Sequence, residues 1–346
     1  MDRLRPADVL TLCVLTLLCL GVLMVQSAAM QVTGDPGWGW TERGLRHIAY
    51  ATIAAATFLV VSRWDYAAVF ARQQSWLSNP GTWLFGASLL LCAIVLIPGI
   101  GKEVNGARRW LLLGPLQIQP SELAKWSIVL FLAVWLTRPI VDLTRFRNLL
   151  LTLAPVAAAC LLIVIEDFGT AVLVGMGALA MLLCSRVRKW QLLALLPLVL
   201  GAAAWFILHK EYRLRRMLAF LDPWASPRSE GYHMVQSLLS FSTGGITGRG
   251  LGNGVQKLGY LPEDTTDFIF AVICEELGLP GALLVMAMYL GILYVAWQSI
   301  RSNRDSLGRM LAFGMSAMLG LQAALNIAVA TVSVPTKGLS LPLVSA

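Results

Sequence analysis

Nine stretches of this chain are apolar for long enough to cross about 30 Å of hydrocarbon, which takes around 20 helical residues each. They lie near 8–30, 44–62, 82–100, 120–137, 148–166, 168–185, 190–208, 279–299 and 309–331. The pattern predicts nine transmembrane helices. The first is too long for a removable signal, and no small-residue cleavage site follows it before the next span. Two segments outside the spans are too specific to be spacers, 101–119 and 209–265. The longer one contains Asp222-Pro223-Trp224 and a glycine-rich run at 244–254. A short helix is expected around 232–242, where Met234, Val235, Leu238, Leu239 and Phe241 make an apolar face. The glycines lack the GK[ST] ending of a phosphate-binding loop and read as tight turns with positive φ.

Composition fits this picture and excludes a soluble domain. Hydrophobic residues make up 57% of the chain and charged residues 13%, against about 25% charged in soluble domains, and the mean hydropathy is +0.70. Lys and Arg set the orientation. Arg3, Arg5, Arg63, Arg72, Arg138, Arg145, Arg147, Arg186, Arg188, Lys189, Arg301, Arg304 and Arg309 fall on one side. Only Arg43, Arg46, Lys102, Arg108, Arg109 and Lys337 fall on the short segments of the other. The N-terminus is therefore expected in the cytoplasm and 209–265 outside. The net charge of +8 follows mostly from this asymmetry, and no nucleic-acid motif accompanies it. The six cysteines are scattered through apolar runs without a CxxC pair, so neither a disulfide framework nor a zinc site is expected.

Candidate chemistry collects on the outer side. Asn105-Gly106-Ala107-Arg108-Arg109-Trp110 is followed by Gln119-Pro120-Ser121-Glu122-Leu123-Ala124-Lys125. Glu122 and Lys125 share a helix face. They read either as a helix-end ion pair, with Arg109 and Trp110 as interfacial anchors, or as a cationic pocket for a pyrophosphate. Asp167 either caps the sixth span or joins a carboxylate cluster. Asp264 and Asp267 either open a helix or supply a general base, Asp267, raised in pKa by partial desolvation. Glu275 and Glu276 come about 12–14 Å further along, and Gly278-Leu279-Pro280-Gly281 can separate a short helix from the true span. Exposed, those two glutamates are merely solvated. Lys337, near Asn326 in sequence, is either a snorkelling anchor or a phosphate ligand.

NGARRW with QPSELAK, the DFGTA turn, FLDPW, GLGNGVQKLGYLPE with TDFIFAVICEELG, and PTKGL together resemble the FtsW/RodA (SEDS) family of peptidoglycan polymerases over most of the chain, more its division branch than its elongation branch. The resemblance implies an all-α polytopic integral membrane protein: a single SEDS-type membrane domain over 1–346, with a large extracytoplasmic loop at 209–265. Nine helices would be present of an expected ten, since the family continues beyond Ser345-Ala346 into a tenth span. It implies a glycosyltransferase of the bacterial inner membrane that polymerises lipid II. Asp267 would be the essential carboxylate. Arg109, Trp110, Glu122 and Lys125, with Lys257, Glu263 and Lys337, would bind substrate. A divalent cation, Mg²⁺ or Mn²⁺, would be held by Asp167 and Asp267, with no organic cofactor. Partners would be a class B penicillin-binding protein, other divisome or elongasome membrane proteins and membrane lipids, but no nucleic acid. Two departures stand out: Ile165-Glu166 precedes Asp167 where the family has Gln-Pro, and His233 stands where it usually has Gln.

Two rival classes share some of these features. A lipid flippase needs outward cations and buried acids but spreads its acids over both membrane sides. A non-catalytic scaffold would tolerate Asp267→Asn. The outer grouping of Glu122, Asp167, Glu263 and Asp267 favours chemistry at that face.

Overall fold

The computed structural model describes residues 5–29, 40–71, 78–104, 107–114, 116–138, 141–209 and 211–345. Arg3, Arg72, Asn105, Gly106, Met30 and Ala346, named above in the orientation, motif and span arguments, lie outside the described residues. Each of the nine apolar stretches contains a helix. They correspond to α1 (Pro6–Ala29), α2 (Glu42–Val61), α3 (Pro80–Val95), α4 (Pro120–Leu136), α5 (Phe146–Val164), α6 (Phe168–Leu183), α7 (Lys189–Leu208), the second part of α10 (Ile269–Ser302) and α11 (Ser306–Ala330). Six of these are long and apolar enough to cross a membrane. Helices α3, α4 and α6, at 16, 17 and 16 residues, reach roughly 24–26 Å, short of a full hydrocarbon thickness.

The chain divides into two compact units, one of residues 1–64, 201–295 and 322–346, the other of 65–200 and 296–321. In the second unit α4 packs between α3 and α6, and α5 lies against α6. Polar side chains join these greasy faces: Ser88 of α3 and Ser127 of α4 share a hydrogen bond of 2.8 Å, and Trp135 Nε1 donates to Thr152 Oγ1 of α5 at 2.9 Å. Such bonds hold helices together where lipid supplies no hydrophobic drive between them.

Segment 101–119 is not the plain loop expected from the span pattern. It folds into a three-stranded antiparallel meander, β1 (Gly101–Val104), β2 (Ala107–Leu113) and β3 (Leu116–Ile118). The sequence carried the signal: Asn105-Gly106, the residue pair favoured in two-residue hairpin loops, falls between Val104 and Ala107, which pair across the strands. The sheet packs on α3 and α4.

In the first unit, segment 209–265 contains the expected short helix, α9 (Tyr232–Gly244), with Met234 and Val235 buried. It also contains α8 (Glu211–Leu221), which the expectation missed. Glycines 245, 248, 250 and 252 all have positive φ, as read from the sequence. Helix α10 breaks at Gly278, whose φ of 65° and ψ of −154° are not helical, so a short helix carrying Glu275 and Glu276 precedes the long span. The break frees the carbonyls of that short helix. Glu275 O and Glu276 O accept from Arg249 N at 3.0 Å and Gly250 N at 2.9 Å.

A methyl group at Gly278 would overlap the backbone nitrogen of Gly248, besides straining a positive φ. Gly278→Ala is expected to destabilise by more than about 1 kcal/mol. Gly86→Ala, where a methyl meets no atom within 4 Å, is the control with little effect. Thermal midpoints of the detergent-solubilised variants check the contrast.

Candidate functional site

In the second unit the site residues gather around the sheet and two helix starts. Strand β2 presents Arg108, Arg109 and Trp110, all partly buried. Asp167 is the N-cap of α6, accepting from Thr170 N at 3.0 Å and Thr170 Oγ1 at 2.9 Å. Its other neighbour is the Arg109 guanidinium, 3.8 Å away. The capping reading of Asp167 holds, and its charged neighbour is a guanidinium. Glu166 accepts from Arg108 N at 2.7 Å; the acid that departs from the family pattern ties the sheet to the start of α6. Arg109 remains about a third exposed, and its Nε has no hydrogen-bond partner among the described residues. Lys125 is 1% exposed, with Nζ 2.5 Å from Glu122. Its ammonium is held inside, while the Glu122 carboxylate stays half open.

In the first unit the central residue is Asp267, partly exposed on the turn that leads into α10. Three contacts fix that turn. Asn326 Nδ2 of α11 donates to Asp267 O at 2.8 Å, and Ser345 Oγ donates to Thr266 O at 2.6 Å. The ring of Phe268 stacks on His233 of α9 at 5.9 Å. Asn326 also donates to Leu339 O at 2.6 Å, which joins the Lys337 turn to the Asp267 turn. Lys337 itself is half-buried. Glu263 begins the turn in a left-handed conformation, φ 56°, with its carbonyl accepting from Thr266 N and Phe268 N. A non-glycine residue with positive φ is a strained position of the kind found at functional turns.

Behind this turn lies a polar core absent from the sequence reading. Glu275 and Glu276 are fully buried. Glu276 accepts from Lys257 Nζ at 2.7 Å, from Ser27 Oγ at 2.7 Å and from Gly252 N at 3.0 Å. Glu275 accepts from Val255 N at 2.8 Å and Gln256 N at 3.2 Å. The glycine-rich loop thus wraps two carboxylates with its backbone N–H groups. A nest of this kind is usually met around an anionic ligand. Lys257, expected to bind substrate, is 4% exposed and spends its ammonium on Glu276, Ser27 and Gly252 O. Its task here is to anchor the loop.

These two groups of residues occur in a chain whose kinship is clear. The model of the cell cycle protein family FtsW/RodA/SpoVE matches residues 7–346. The chain belongs to the FtsW/RodA/SpoVE family. It is 39% identical over 342 residues to the probable peptidoglycan glycosyltransferase FtsW of Coxiella burnetii, covering 97% of this chain and 90% of that one. It is 44% identical over 276 residues to the protein of the same name from Nitrosococcus halophilus, covering 78% and 70%. Among solved structures it resembles a chain of a peptidoglycan synthase complex that coordinates polymerization and crosslinking, with TM-score 0.75, 29% identity and 97% and 90% coverage. It also resembles the rod shape determining protein RodA of Thermus thermophilus, with TM-score 0.66, 25% identity and 97% and 88% coverage. Family membership and the apolar helices together make it a multi-pass membrane protein.

The cation that the FtsW/RodA resemblance implied finds no ready cage. Among the described residues no three His, Cys, Asp or Glu side chains come together as a metal site. Asp167 already accepts from Thr170 with both oxygens and faces the Arg109 guanidinium, so its charge is partnered by the protein's own groups.

Two ionisable groups near Asp267 are displaced. Burial pushes His233 below its ordinary 6.5, with the Arg216 charge adding to the effect and Glu263 opposing it, so it is neutral at pH 7. Burial pushes Asp264 up to about 6 from 3.8, against the Thr265 N–H and the Arg43 charge, with Glu263 adding to the rise. The folded protein therefore favours the protonated acid. That stabilisation is complete below about pH 4 and is lost as pH rises through about 6. Asp264→Asn should flatten the fall in thermal midpoint between pH 4 and 7. At the anchor, Lys257→Met leaves a buried carboxylate unpaired and should cost about 3–5 kcal/mol. Lys257→Met combined with Glu276→Gln should recover a large part of it, which a double-mutant cycle on chemical denaturation reads.

Proposed function

We propose that this protein is a peptidoglycan glycosyltransferase of the bacterial cytoplasmic membrane. It would polymerise lipid II into glycan strands and release undecaprenyl pyrophosphate, in cell division or shape maintenance. The observation that carries the proposal is Asp267, a half-buried aspartate on a turn pinned by Asn326 and Ser345, in a chain whose relatives bear the name of that activity. The orientation follows the positive-inside count, with the N-terminus in the cytoplasm and Asp267 outside. The nine apolar stretches are read as nine crossings, six of them supported by helices long and apolar enough to span a membrane.

The chemistry asks for two things. A base must take the proton from the acceptor sugar's 4-hydroxyl as that oxygen bonds to the donor's anomeric carbon. Positive charge must meet the pyrophosphate as the anomeric C–O bond breaks and the electron pair leaves with it. Asp267 takes the first role. Arg109 takes the second, because its guanidinium is the part-exposed cation of the Arg109–Asp167 pair. Lys125 adds positive charge from its buried pair with Glu122, Trp110 covers a lipid or sugar face, and Glu263 and Lys337 complete the substrate contacts. Lys257 is assigned to the loop anchor instead, and no step is routed through a metal ion. A class B penicillin-binding protein would cross-link the product as partner, alongside other membrane proteins of the same machinery.

The test uses the full protein with its partner and lipid II in detergent or liposomes, with glycan strands read on a gel. Asp267→Asn should lower polymerisation by at least 100-fold, the usual scale for losing a general base, at an unchanged thermal midpoint. Arg109→Gln should slow it while leaving polymer detectable. Parent-level polymer from Asp267→Asn would refute the assignment of the base. Lipid II transport without polymer from the parent would move the protein to the flippase class.

A further inference from the structure

The end of the second unit opposite Asp167 carries a cavity that polymerisation does not use. Helices α4 and α6, which carry Glu122 in the first turn and Asp167 as N-cap, finish here, and α11 begins here. The cavity has a volume of about 460 Å³ and is lined by residues of all three ends. Arg138 comes from the end of α4, Arg186 from just past the end of α6, and Arg309 from the first turns of α11. Thr137, Ser185 and Ser306 add hydroxyl groups, while Leu143, Met310 and Phe313 belong to its apolar wall.

The wall is built, since Leu143 belongs to a buried core with Leu149, Leu182 and Val187. Among the described residues neither Arg186 nor Arg309 makes an ion pair, and both are exposed. The nearby acids are turned elsewhere. Asp305 accepts from Leu307 N and Gly308 N at the head of α11, and Asp142 accepts from Thr144 and pairs with Arg145. Three guanidinium groups, hydroxyl donors and an apolar wall at the end of spanning helices suit one chemical class: a phosphodiester anion attached to acyl chains. Guanidinium groups bind phosphate oxygens in pairs. Basic pockets between helix ends are where anionic headgroups lodge.

We infer that this cavity is a binding site for an anionic phospholipid of the surrounding bilayer, its phosphate held by Arg138, Arg186 and Arg309. In the orientation proposed above it draws from the cytoplasmic leaflet. The site shares no residue with the Asp267 turn or the Arg109–Asp167 pair, so its occupancy and the polymerase assignment can be tested separately.

The experiment is native mass spectrometry of the full chain released from vesicles containing equal amounts of phosphatidylglycerol and phosphatidylcholine. The parent should retain phosphatidylglycerol preferentially. Arg186→Gln with Arg309→Gln, both at exposed positions, should lower that preference roughly 30-fold, as removal of two near-surface cations predicts. Met310→Trp, which fills the cavity at unchanged charge, should lower it as well. Equal retention by parent and double variant would overturn the proposal. So would full retention by Met310→Trp, which would reduce the arginines to a general surface attraction. Displacement of the lipid by millimolar inorganic phosphate would also overturn it, in favour of a soluble anion site. Displacement by an acidic peptide but not by phosphate would overturn it in favour of a protein partner.

Discussion

Two adjacent carboxylates with no exposure at all are an expensive thing to place at the head of a membrane helix, and the first unit is organised around satisfying them. Glu276 takes the Lys257 ammonium, the Ser27 hydroxyl and Gly252 N; Glu275 takes the N–H groups of Val255 and Gln256. The contacts come from Ser27 of α1 and from residues 252–257, so the two carboxylates tie α1, the glycine-rich loop and α10 together. The kink at Gly278 adds a second layer, because the carbonyls it frees bind Arg249 N and Gly250 N of the same loop. The loop has no apolar face of its own to bury. Its fixed shape follows from being wrapped on charge.

That anchor connects to chemistry through short covalent paths. Lys257 and Asp267 are ten positions apart in the sequence, and Glu275 follows Asp267 by eight. The turn between them carries the left-handed Glu263, the raised acid Asp264 and the carboxylate proposed as base. Asn326 and Ser345 hold its backbone from the other side. A base works only if its position is set before substrate arrives, and here the fixing groups are polar side chains, Asn326 buried and Ser345 half-buried. In the second unit the same logic recurs on a smaller scale. Asp167 caps α6 and faces Arg109, and Glu166 holds the strand that carries it.

Much of the helical frame was legible because hydrophobic runs of about 20 residues have few alternatives in a membrane protein. The α10 break was legible too, since Gly278 and Pro280 bracket it. So were the turns of the glycine-rich loop. The β-meander was missed although Asn105-Gly106 marks a hairpin, because attention to span length treats everything between spans as loop. Glu275 and Glu276 were missed for a deeper reason. Whether an acid is solvated or buried depends on partners far away in sequence, here Ser27 and Lys257, and local spacing says nothing of them. Lys257 was misassigned by the same blindness, as a cation in a polar loop reads as a ligand-binding group until its burial is seen.

The buried carboxylates fix the loop leading to Asp267, and amide hydrogen exchange of residues 252–257 reads how firmly. In the parent these amides should be strongly protected. In Glu276→Gln they should exchange much faster, whereas in Asp267→Asn they should keep the parent's protection. Unchanged protection in Glu276→Gln, with the rest of the fold intact, would show that the carboxylates do not fix the loop.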